Sequence, residues 1–258
     1  MPPPPPSQDD LRRKRQAEKD RLTAVSTEAF DECKRRGYFK KDANEVGDDG
    51  DTPLLTAIKN GNAEGMDLLI KAGADTEKRD KRSFTAFLVA CNKGHVSSMQ
   101  KLIQLRGAGI TQDKDSRGSS PLWIAAEGGG VEAVRFLGEK EGNWAYSEVN
   151  QKGQTPMFAA AKSGQAKVVD FLVIKCGQAM LTTPDNDGMT PLHAAAANGH
   201  LGVIRTMMTI TQSKILDDDA ERDKFALDYA KRGKHKDVVE YLKSEGALSK
   251  GSSACTLL

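Results

Sequence analysis

Four histidines and four cysteines are the residues of this 258-residue chain best suited to hold a metal or attack an electrophile. Cys33, Cys91, Cys176 and Cys255 lie far apart, with no Cys-x-x-Cys pair, so they form neither a zinc signature nor a disulfide framework. A reducing compartment, cytosol or nucleus, is expected. His95, His193, His200 and His235 have no second ligand at metal-binding spacing. Gly128-Gly129-Gly130 is not followed by the Gly-Lys-Ser/Thr of a phosphate-cradling loop. No catalytic residue, metal, cofactor or small-molecule substrate is therefore expected. One motif does carry chemistry. Cys255-Thr256-Leu257-Leu258 fits the C-a-a-X prenylation pattern, and its last leucine points to a geranylgeranyl group on Cys255. Such a thioether would tether the chain to a cytoplasmic membrane face. The basic residues Lys231, Arg232, Lys234, Lys236, Lys243 and Lys250 would add a mild second signal. The alternative is an unmodified thiol on a soluble cytosolic or nuclear regulator.

Charge and composition narrow the remaining classes. Thirty-eight Lys+Arg against thirty-six Asp+Glu leave a net charge of +2, which demands no nucleic-acid or membrane partner for the whole chain. Arg12-Arg13-Lys14-Arg15 can engage phosphates, but carboxylates surround it and no aromatic residue interleaves for base stacking. A nucleic-acid partner is the remote reading. Pro2 to Pro6 favour a polyproline II helix, a ligand for a polyproline-binding domain. Pro2 is incompatible with N-myristoylation. The amino terminus lacks the apolar core of a signal peptide, and no apolar run reaches membrane-spanning length.

The elements that position these residues follow from an internal repeat. Thr52-Pro53-Leu54, Thr85-Ala86-Phe87, Ser120-Pro121-Leu122, Thr155-Pro156-Met157, Thr190-Pro191-Leu192 and a degraded Phe225-Ala226-Leu227 recur at intervals of 33 and then 35 residues. Other positions keep the same phase. Asp80, Asp115, Asn150 and Asp185 precede the Thr/Ser by five residues, Gly50, Gly118, Gly153 and Gly188 by two. Thr or Ser before Pro is a helix start, because the hydroxyl caps free amides and Pro fits the first turn. Leucine with small alanines gives a short helix that a neighbour can approach closely. A glycine ends it, and a second apolar pattern such as Val168, Val169, Phe171 and Leu172 gives an antiparallel partner. The Asp/Asn-x-x-Gly stretch between copies is a turn or hairpin signal. One such unit cannot bury its own apolar face, so the units must stack.

Thr190-Pro191-Leu192-His193 with Ala195 completes the signature Thr-Pro-Leu-His-x-Ala, and Asn198-Gly199-His200 continues it. The chain resembles the ankyrin-repeat family over roughly residues 48 to 245. The resemblance implies an all-α solenoid of about six stacked helix-turn-helix units with short β-hairpin connections and an N-terminal capping helix. The expected organisation is a tail at 1–21, a cap at 22–47, repeats at 48–248 starting near 48, 81, 116, 151, 186 and 221, and a tail at 249–258. It further implies that His193 bonds to the backbone and the capping Thr, that Trp123 and Phe158 pack inside at the same position, and that a protein partner binds the concave face, at the hairpin tips and the exposed side of the first helices. By register, Arg82, Arg117 and Lys152 form a basic stripe there, suited to an acidic segment. Phe84 and Met189 are apolar where a tip should be wet. Trp144 and Tyr146, in a longer connection, are the remaining candidates, since Trp and Tyr dominate interface energies.

Overall fold

Four of the five Thr-Pro or Ser-Pro pairs open a helix, and Thr183-Pro184 does not. In a computed structural model that describes residues 27–216 and 225–247, Thr52, Ser120, Thr155 and Thr190 hold extended backbone and accept a bond from the N–H three residues on. Proline follows in each case, where no N–H is needed. Phe225, at the degraded copy, makes no side-chain cap. The chain divides into two units, Met1–Ala86 and Phe87–Leu258. The tail features at Pro2–Pro6, Arg12–Arg15 and Cys255 lie outside the described residues.

In the first unit residues 27–35 form helix α1, followed by α2 (Pro53–Lys59) and α3 (Ala63–Lys71). Cys33, Leu54, Leu55, Ile58 and Leu69 are buried, and the Phe30 and Phe39 rings meet at 4.8 Å. Arg36, just past α1, bonds Glu64 of α3 at 2.8 Å. Asn44 accepts the Asp75 N–H at 2.6 Å and donates to the Gly73 carbonyl at 3.2 Å. The segment ahead of the first repeat is therefore tied to both ends of α3.

The second unit runs from α4 (Ala86–Lys93) through α5 (Val96–Arg106), α6 (Pro121–Gly128), α7 (Val131–Glu141), α8 (Pro156–Lys162), α9 (Ala166–Cys176), α10 (Pro191–Ala197), α11 (Leu201–Thr211), α12 (Ala226–Gly233) and α13 (Lys236–Ser244). First helices α6, α8, α10 and α12 pack side by side, and second helices α5, α7, α9, α11 and α13 do the same behind them. Short 3-10 turns follow three of the second helices, at Ala108–Gln112, Asn143–Ser147 and Gln178–Leu181. The first helices are close because they are small. Ala125, Ala126, Ala159, Ala160, Ala161, Ala194, Ala195 and Ala196 are all buried. A Cβ on Gly128 would collide with the Asn92 carbonyl, and one on Gly130 would lie 2.8 Å from the Cα of Gly94. The triple glycine is thus a backbone contact between repeats.

No strand is present among the described residues. The expected hairpin connections take the form of tight tips instead. In four of them the Asp or Asn five before the helix start accepts two backbone N–H bonds, as Asp115 does from Arg117 at 2.9 Å and Ser119 at 2.8 Å. The backbone closes the same turn with Asp115 N–H to Ser119 O at 3.2 Å. Positive φ falls on glycine in three of these tips, but on Ser83 (φ 64) in the fourth.

Candidate functional site

The tips bring Arg117 and Lys152 onto adjacent repeats. The Gln151 N–H donates to the Arg117 carbonyl at 3.0 Å, and the Asn186 N–H repeats the bond to the Lys152 carbonyl at 2.9 Å. Backbone bonds therefore stitch these tips of the second unit into a row and fix their spacing, and the Asn186 amide adds a bond to the Gln151 carbonyl at 3.2 Å. Their charges differ. Arg117 is committed inward: its Nε bonds Asp115 at 2.9 Å, its Nη1 lies 3.6 Å from Glu127, and its guanidinium sits 4.9 Å from the Trp123 ring centre. Lys152 is exposed, and the residue two before it is the neutral Asn150, so its tip brings no carboxylate to offset the ammonium. Gln154 instead spends its amide on Asp185 at 3.1 Å. Of the two cations that the second unit places on adjacent tips, Lys152 is the less neutralised.

Arg82 belongs to the first unit and behaves like Arg117. It lies 3.6 Å from Asp80 and 4.2 Å above the centre of the Phe84 ring. Lys59 shares Asp80 at 3.5 Å and also meets Asp51 at 2.6 Å. Phe84 itself is fully buried, which corrects its reading as an apolar tip residue. The turn that lets Asp80 accept the Phe84 N–H at 2.9 Å directs the ring inward. Tyr146 is corrected in the same way: it is buried, its ring meets Phe171 edge-on at 6.3 Å, and it fills the space that the missing side chain of Gly138 leaves. Met189 is half-buried. Trp144 is 50% exposed and stays on the surface.

Three of the four histidines hold structural bonds. His193 Nδ1 accepts the Thr190 N–H at 2.9 Å while Thr190 accepts the His193 N–H, a reciprocal cap. Trp123, at the same position, donates its indole N–H to the Gln154 carbonyl at 3.0 Å and so reaches the next tip. His200 and His235 bond the carbonyls of Lys162 and Ala197, at the ends of the preceding first helices, at 2.9 and 3.0 Å. Gln165 stands in for them at 3.3 Å from the Glu127 carbonyl. Burial pushes the Cys33, Cys91 and Cys176 thiols up, so none is primed as a nucleophile. Among the described residues no group of three His, Cys, Asp or Glu is placed to hold a metal, and no helix is long and apolar enough to cross a membrane.

One feature of the second helices is not visible in the helix-start motifs. Phe136, Phe171 and Tyr241 occupy one register position, and cations cover them. Arg135 lies 5.5 Å and Lys175 5.9 Å from the Phe171 centre, and Arg205 4.9 Å from that of Tyr241. The shared 35-residue phase of these aromatics was the available signal.

The family described as ankyrin repeats (3 copies) matches residues 24–112, 87–185 and 174–251. Those matches span most of the chain and take in every capped helix and stitched tip described above. This protein belongs to the ankyrin-repeat family.

Proposed function

We propose that the chain is a non-catalytic adaptor that holds an acidic segment of a protein partner across the tips and exposed first-helix face of its second unit. Ankyrin repeats indicate a protein–protein interaction domain. The observation that carries the finer reading is the backbone-stitched row in which Lys152 has a neutral neighbour where Arg117 has Asp115. A rigid row costs little ordering entropy on binding. Affinity capture with the wild type beside Lys152→Glu tests it. Loss of the same acidic protein from the variant, with an unchanged unfolding curve, is the expected result. An identical captured set would end the reading.

We further infer that Cys255 carries a geranylgeranyl thioether holding the adaptor on a cytoplasmic membrane face. The support is the Cys-Thr-Leu-Leu sequence after the small-residue stretch 249–254. Intact mass of the protein from its native cells decides this. A lipid adduct that disappears in Cys255→Ser is expected, and an unmodified mass makes the protein a soluble regulator.

A further inference from the structure

The second helices of the second unit end in a line, and that line has its own chemistry. Contacts place α5, α7, α9 and α11 side by side in order. The Gln178 amide, in the turn after α9, bonds the Ile210 carbonyl near the end of α11 at 3.2 Å, so neighbouring ends adjoin. Each of three successive ends offers one large exposed apolar side chain and one exposed cation. Leu105 (53% exposed) precedes Arg106, Lys140 precedes Trp144 (50%), and Ile174 (75%) precedes Lys175. Trp144 stands two residues before Tyr146, whose ring meets Phe171 one turn ahead of Ile174. Glu139 and the half-buried Glu141 are the acidic residues at these ends, against the three cations.

We propose that this edge rests on an anionic lipid surface. An apolar side chain beside a cation, repeated along a line, is the chemistry of a membrane interface: Trp and aliphatic groups enter the headgroup boundary while Lys and Arg meet lipid phosphates. Protein interfaces go the other way, since lysine is depleted from their cores. In chain order this edge follows the second helices, whereas the tips precede the first helices. The proposal does not depend on a lipid at Cys255.

The test uses the full-length chain with Cys255→Ser and vesicles of phosphatidylcholine, with and without about one-third phosphatidylserine. The chain has two tryptophans, and Trp123 is buried, so a change in emission reports Trp144. Co-sedimentation with the phosphatidylserine vesicles and a blue shift of that emission are expected. Trp144→Ser/Ile174→Ser should weaken sedimentation about tenfold, and so should Lys140→Glu/Lys175→Glu, both with unchanged thermal unfolding. No sedimentation, equal sedimentation with neutral vesicles, or sedimentation that both double variants leave intact overturns the proposal. Because the tail cysteine is absent throughout, failure here leaves the thioether reading to its own mass measurement.

Discussion

At the scale of single residues, the glycines separate two kinds of space. Gly138 lies in α7 with its would-be Cβ inside the Tyr146 ring, while Gly202 in α11 faces nothing within 4 Å. Alanine is favoured over glycine in a helix by about 1 kcal/mol, so Gly202→Ala should stabilise by about that amount. At Gly138 the same gain is outweighed, because overpacking a filled core costs about 1–3 kcal/mol and Tyr146 has Phe171 on its other side. Gly138→Ala should therefore lower the melting temperature while Gly202→Ala raises it, as calorimetry on the two variants will read. A melting temperature raised by both would mean that Tyr146 swings out freely.

At the scale of the element, hydrogen bonds join neighbouring repeats of the second unit both at the tips and at the far ends of the first helices. The tip row uses backbone bonds reinforced by the amides of Gln154 and Asn186, and the far ends of the first helices use His200, His235 and Gln165. The second link is a side chain and can be cut without touching a core residue. His200→Ala removes one bond to the Lys162 carbonyl. A net loss of about 1 kcal/mol is expected, typical of one intramolecular hydrogen bond. Repeat stacks owe their cooperativity to such neighbour terms, so the urea unfolding slope of His200→Ala should fall along with its midpoint. A midpoint equal to that of the wild type would show the ring to be a passenger on the turn.

For the molecule as a whole, stability should depend on pH through Glu141 at the end of α7. Burial pushes its carboxyl above the ordinary glutamate value, and Glu148 adds to the push; bonds to Thr111 and Gln112 and the charge of Lys114 offset part of it. Its Oε1 is buried with no partner. The folded chain thus holds this proton to a higher pH than the unfolded chain does. Between the two values the native state binds more protons, so this group's contribution falls as pH rises and is smallest at neutral pH. Glu141→Gln should stabilise the protein near pH 7.5 and make little difference near pH 4. Denaturant midpoints of both proteins at the two pH values check this, and a variant less stable at pH 7.5 contradicts it.

The sequence by itself determined the repeat, its phase and the helix starts, because those are local statements: Thr52, Ser120, Thr155 and Thr190, each before a proline in the repeat phase, cap the helix that follows, and Thr190 with His193 closes its box within four residues. The same locality made the tip register of Arg82, Arg117 and Lys152 legible. Where a side chain points once a turn is closed is a different kind of fact. Phe84 and Tyr146 read as surface candidates, yet the Asp80 turn swings one inward and the absent Cβ of Gly138 admits the other. Arg117 reads as an open cation until Asp115, Glu127 and Trp123 are seen around it. Those outcomes depend on atoms from neighbouring turns and repeats, and only tertiary packing brings such atoms within reach of one another.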